Sequence, residues 1–147
     1  MINPENVQKF KSYGFVLTPV IKSKNPNEDK KPVSKNGTWH KDWNDQELLD
    51  ASRIGAYHRD SKIFDVDFDD KEYNAHKFMD LLPPTFTIGK KVNGRAVATH
   101  LIYRTKEKVK DYKKAQPLVE LLANTQTIIA GVDRIIIGTA AITDQSL

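Results

Sequence analysis

Ser61-Lys62-Ile63-Phe64-Asp65-Val66-Asp67-Phe68-Asp69-Asp70 is the stretch around which the chain is organised. β-Branched and aromatic residues alternate there with polar ones at period two, which predicts a strand. Alternate side chains of a strand share a face. From Phe64 onward, Phe64, Val66 and Phe68 look one way and Asp65, Asp67 and Asp69 the other; Ile63 does not fit the polar set. Three carboxylates in line repel one another and gain nothing from apolar packing. A divalent cation offsets them, since hard cations take oxygen ligands. The plainer alternative is a solvated edge strand running into a helix, with Asp69 or Asp70 as its N-cap.

Composition sets the frame for that choice. The 147 residues suffice for one domain with a genuine core, and a single domain over residues 1–147 is expected. A hydrophobic content of 39% beside 29% charged residues is that of a soluble globular protein. The formal net charge of +4 permits a polyanionic partner without demanding one. Without cysteine, the chain has no disulfide, zinc knuckle or cysteine nucleophile. The start, Met1-Ile2-Asn3-Pro4-Glu5, has neither the basic nor the apolar region of a signal peptide. No apolar run approaches the ~18 residues of a membrane span. A soluble, cytoplasmic domain without membrane attachment is therefore expected.

Around the acidic strand the elements follow in order. Pro4 to Tyr13 suits a short helix capped by Asn3, with Val7 and Phe10 on one face. Phe15 to Ile21 reads as a strand, and Lys22 to Gly37 as a polar loop rich in lysine, either solvated or in contact with phosphates. Asn44 or Asp45 caps a second helix, and a short strand runs from Ile54 to Tyr57. Lys71 to Leu82 makes an amphipathic helix with Ala75, Phe78, Met79 and Leu82 inward. Phe86–Lys90 and Ala96–Arg104 form a hairpin turned near Asn93-Gly94. A lysine-rich linker, Lys106 to Lys114, leads to strands at Leu118–Leu122 and Thr127–Ile129 and an apolar run at Ile135–Ile137. The fold class is α+β, helices packed on a mainly antiparallel sheet.

Several side chains in this order carry potential chemistry. His100 and Arg104 share a face of their strand and make a clamp for phosphate oxygens, or else His100 is a satisfied interior histidine. Glu120 stands between Val119 and Leu121, on the face of Leu118 and Leu122. A carboxylate among leucines is costly unless paired or bound to a cation, or unless it reaches water at a sheet edge. His40, His58 and His76 show no partner spacing and read as surface residues, and Asp133-Arg134 reads as a local ion pair. No glycine-rich phosphate loop is present. The chemistry these residues suit best is a two-metal site from Asp65, Asp67 and Glu120, of the kind that serves phosphoryl transfer.

The motifs also resemble a known family. Gly14, Phe15 and Pro19 come first, then Lys31, Pro32 and Trp43, then Ile54-Gly55 and the Phe64-Asp65-Val66-Asp67 strand. Leu82-Pro83 leads to Thr85, the hairpin ends in Thr99-His100-Leu101-Ile102-Tyr103-Arg104, and Val119-Glu120-Leu121-Leu122 precedes Asn124-Thr125-Gln126-Thr127. From about Gly14 to Ile129 this order is similar to the bifunctional primase-polymerase (prim-pol) branch of the archaeo-eukaryotic primase superfamily, found in phage and plasmid replication proteins. The resemblance implies an RRM-like, mainly antiparallel catalytic core, here a fragment or a minimal version. It implies that Asp65 and Asp67 are the Asp-x-Asp/Glu metal ligands, that Glu120 is the third acidic ligand, and that His100 contacts the incoming nucleotide. Two departures stand out. Ala98 and Thr99 alter the serine position of the family's Ser-x-His motif, and Ala130–Arg134 replaces its Pro-Pro-Ser-x-His-like turn.

The resulting expectation is a DNA primase/polymerase-type nucleotidyltransferase, cytoplasmic in its host if phage-encoded. It would transfer (d)NMP from a (d)NTP to a strand on a single-stranded DNA template, alone or beside a helicase domain or protein. Asp65, Asp67 and Glu120 would hold two Mg²⁺ or Mn²⁺ ions; His100 and Arg104 would hold triphosphate oxygens. Lysines of the Lys22–Lys35 segment, Lys30 and Lys31 foremost, and of Lys106–Lys114 would follow the template backbone. The first alternative is a catalytically degenerate module that only binds single-stranded nucleic acid. The second is an Asp-x-Asp sugar-nucleotide transferase, which the lack of a doubly wound βαβ pattern disfavours.

Overall fold

Asn3 and Pro4 open the first helix, α1 (Pro4–Ser12). The Asn3 side chain accepts from the Asn6 amide at 2.8 Å, and Pro4 fills a position whose amide would go unsatisfied anyway. The computed structural model describes residues 2–20, 34–35, 38–39, 42–68, 74–111, 119–137 and 142–144. After α1 come β1 (Leu17–Val20), β2 (Ser34–Lys35), β3 (Thr38–Trp39), α2 (Asp45–Leu49), β4 (Arg53–Tyr57), α3 (His58–Ser61) and β5 (Ile63–Phe68). A 3-10 helix (Asn74–Leu81) precedes β6 (Phe86–Val92), β7 (Arg95–Arg104), β8 (Val119–Leu122), β9 (Gln126–Gly131), β10 (Ile135–Ile137) and β11 (Thr143–Asp144).

The strands form an antiparallel sheet in the order β1-β4-β9 and a larger one in the order β10-β6-β7-β5-β8, to which β11 adds in parallel beside β7. β2 and β3 pair separately. The architecture is α+β and mainly antiparallel. No helix among the described residues is long and apolar enough to cross a membrane.

β5 lies between β7 and β8, so both its edges are paired and the solvated-edge alternative does not apply. On one face Ile63, Phe86, Ile88 and Ile102 of the larger sheet meet Leu17, Ile54 and Ile129 of the smaller one, together with Val7 and Phe10 of α1. Ile63 thus belongs to the face of Asp65 because that face turns apolar where the two sheets meet. On the other, Phe64, Phe68, Leu101, Tyr103 and Ala123 form a second cluster. The alternation of β5 therefore separates two cores.

The β6–β7 hairpin turns at Asn93 and Gly94, both at positive φ (50° and 78°), as a two-residue turn matched to strand twist requires. The helix expected over 71–82 is a 3-10 helix in its described part, and its phase differs. With three residues per turn, positions 76, 79 and 82 share a face. Met79 and Leu82 accordingly pack on the second cluster, whereas Phe78 is 52% exposed rather than inward. Between β9 and β10 the chain passes from the smaller sheet to the larger, carrying Asp133 and Arg134 across.

Candidate active site

Pairing in the larger sheet decides which polar groups meet. Asp67 of β5 lies opposite His100 of β7 on one side and opposite Glu120 of β8 on the other. Residues directly opposed across a ladder project to the same face. Asp67, His100 and Glu120 therefore form a row across three strands, with Asp65 two residues along β5 on the same face. That face looks toward the smaller sheet, whose Thr127 reaches Asp65.

Asp65 has no exposed surface. Its Oδ2 accepts two hydrogen bonds, from His100 Nδ1 at 2.8 Å and from the Thr127 hydroxyl at 2.7 Å. Its Oδ1 is buried and meets no hydrogen-bond partner among the described residues. Asp67 is more open, its side chain 18% exposed, with Oδ1 3.5 Å from His100 Nδ1. Burial pushes the pKa of His100 down, but the charge of Asp65, its hydrogen bond and the charge of Asp67 together outweigh burial. The Arg134 guanidinium opposes them, and the net result is a pKa above the ordinary histidine value.

This shift has a definite sign for stability. A group whose pKa is raised by folding stabilises fully below its unfolded value, ~6.5 for histidine, and loses that contribution as pH climbs through the folded value. With a chelator present, the stability difference between the native protein and His100→Asn is expected to shrink as pH rises above that range. Denaturant midpoints measured across pH check it; a difference that grew with pH would contradict the ion pair.

A buried carboxylate oxygen without a donor is costly, and a divalent cation with a preference for oxygen offsets that cost. Asp67 and Glu120 bring further carboxylate oxygens to the same face. Among the described residues, however, no three His, Asp or Glu side chains are drawn into a metal-holding cluster. The register aligns the carboxylates without closing their side chains into one ring. In donor chemistry the set fits a Mg²⁺ or Mn²⁺ ion.

Other expected site residues lie elsewhere. Arg104 pairs with Ile63, four residues along β7 from His100, or about 13 Å at strand rise. Its guanidinium donates to the Tyr13 carbonyl at the end of α1, so it serves the helix terminus at the far end of that face, away from His100. Lys30, Lys31, Asp69 and Asp70 lie outside the described residues, as does His40. Asp133 and Arg134 form the expected local pair at 3.0 Å, and Asp133 also accepts from Arg53 at 2.9 Å. That shared carboxylate ties the β9–β10 turn to the start of β4.

Two residues read as surface histidines are buried or half-buried. His58 is fully buried, with Nε2 2.7 Å from the Thr127 hydroxyl. His76 is half-buried and donates from Nε2 to the Ala98 carbonyl at 2.7 Å. A signal for His58 was present: it continues the period-two series of Ile54 and Ala56. Thr127 had none, because a threonine beside Ile128-Ile129 suits any strand. No protein-family model matches the chain, and no curated protein matches it.

Proposed function

We propose that the chain is a metal-dependent nucleotidyltransferase resembling a primase-polymerase, which transfers (d)NMP from a (d)NTP to a strand on a single-stranded DNA template. On this reading the larger sheet is the RRM-like catalytic core. The observation that carries the proposal is the row of Asp67, His100 and Glu120 on adjacent strands, with Asp65 beside it. Asp65, Asp67 and Glu120 would hold Mg²⁺ or Mn²⁺. A divalent ion bound there would supply Lewis-acid chemistry, making the 3′-hydroxyl a better nucleophile and offsetting charge on the triphosphate.

The protein's own groups have separate tasks. Asp65 engages Nδ1 of His100, which orients the ring and favours its charged form. Nε2 of His100 would then donate to a triphosphate oxygen as a charge-assisted hydrogen bond. The positive charge of Arg134, close enough to act on His100, would strengthen the same anionic region. It stands in the turn where the resemblance has its nucleotide-side loop.

A template path is supported by a cavity of about 300 Å³ lined by Arg59, Lys62, Lys106 and Lys108, with Glu107 as its one acidic lining residue. Phosphates following this groove would release counterions. Lys106→Gln/Lys108→Gln is therefore expected to weaken single-stranded DNA binding about tenfold, alike for all sequences. Removing two contacts should also flatten the salt dependence by about 1.4 in log–log slope. Unchanged affinity and slope would mean that these lysines are merely solvated. The same double replacement at Lys30 and Lys31 tests the other basic segment.

Primer extension with Mg²⁺ or Mn²⁺, beside a binding titration, tests the function itself. The second reading, a module that binds single-stranded nucleic acid without catalysis, suits the Ala130–Arg134 turn, which departs from the resemblance. Binding without incorporation with either metal would select it.

A further inference from the structure

The donors to Asp65 continue into the smaller sheet. The Thr125 amide donates to His58 Nδ1 at 3.2 Å, and the His58 amide donates to the Thr125 carbonyl at 2.9 Å. An amide can only donate, so Nδ1 of His58 is an acceptor and its ring proton sits on Nε2. Nε2–H then donates to the Thr127 hydroxyl at 2.7 Å. That hydroxyl has a single proton, and it points to Asp65 Oδ2 at 2.7 Å. Every step has one permitted direction, and His58, Thr127 and Asp65 are all buried, so water does not compete.

The geometry points to His58 and Thr127 as positioning residues for Asp65. The terminal torsion of an aspartate is broad, so the side chain alone does not select which oxygen faces a ligand. Here two donors saturate Oδ2, and Oδ1 is left as the oxygen offered to a cation. The anchor is the backbone of the turn before β9, which holds the His58 ring and fixes the direction of the hydroxyl. Both residues are buried, so their part would be to position Asp65 rather than to bind a nucleotide. The cation belongs to the function proposed above, whereas the orientation of the carboxylate stands independently of it.

The test compares Thr127→Val, which keeps the shape and removes the hydroxyl, with Thr127→Ser, which restores the hydroxyl. In crystal structures, Thr127→Val is expected to turn the Asp65 carboxylate away from its native orientation, and Thr127→Ser to keep it. Mn²⁺ affinity and kcat should each fall about 10–100-fold in Thr127→Val with nucleotide KM nearly unchanged, and recover to within about threefold in Thr127→Ser. His58→Phe fills the ring volume and frees the hydroxyl; it should give a smaller loss of the same kind, and it carries the comparison if Thr127→Val does not fold. A native carboxylate orientation and Mn²⁺ affinity in folded Thr127→Val would overturn the inference. If the native protein incorporates no nucleotide or binds no Mn²⁺, the proposed function fails, and the carboxylate orientation alone decides the positioning role.

Discussion

Asp67→Ala is expected to lower template-dependent nucleotide incorporation by about 10²–10³-fold or more, the scale of losing a preorganised charge at a reacting centre. The same substitution should leave the fold intact. Asp67 is partly exposed, and its removal relieves repulsion with Asp65 while His100 keeps its contact to Asp65. The expected change in stability is within about 1 kcal/mol. Single-stranded DNA binding should persist or tighten, because negative charge leaves a face that would meet phosphate on the proposed reading. Primer extension, thermal melting and a binding titration on the two proteins read all three effects. Full incorporation by the folded variant would remove Asp67 from the site.

Asp65→Ala should behave differently, although it changes the same kind of residue two positions away. Asp65, itself fully buried, is the common acceptor of His100 and Thr127. Its loss leaves the half-buried His100 imidazole with only the more distant Asp67 carboxylate and the buried Thr127 hydroxyl without its acceptor, a cost of about 1–3 kcal/mol. For a chain of this size that corresponds to roughly 2–12 °C of melting temperature. Incorporation should also vanish. Adding His100→Asn to Asp65→Ala should restore part of the stability, since the imidazole that lost its nearest partner is then gone, without restoring activity. If Asp65→Ala melted like the native protein, the burial and pairing of this carboxylate would be wrong. The contrast between the two aspartates separates a residue that holds the site together from one that serves it.

Much of this arrangement was legible in the sequence where local pattern determines it. The alternation of Phe64, Val66 and Phe68 with Asp65 and Asp67 revealed the strand and its two faces, because period two needs no distant partner. Asn93-Gly94 revealed the hairpin because few residue pairs accept two consecutive positive φ angles. Asn44, with Glu47 three residues on, forms the capping box that starts α2. What depended on distant pairing was harder to read. The role of His58 arises from Thr127, 69 residues away, and no local pattern records that contact. Arg104 and His100 share a face, as alternation required, but face alone does not tell that one end of β7 abuts the terminus of α1. Phe78 was misplaced because an apolar stripe read at 3.6 residues per turn shifts when the backbone winds at three.

On the proposed reading, the carboxylates aligned on this face converge on a divalent ion. Anomalous diffraction from crystals of the protein grown with Mn²⁺ tests it most directly. The expected result is Mn²⁺ ligated by Asp65 through Oδ1, by Asp67 and by Glu120, with His100 still hydrogen-bonded to Oδ2 of Asp65. Mn²⁺ bound elsewhere, or no bound Mn²⁺ with Glu120 remaining apart from the two aspartates, would contradict it.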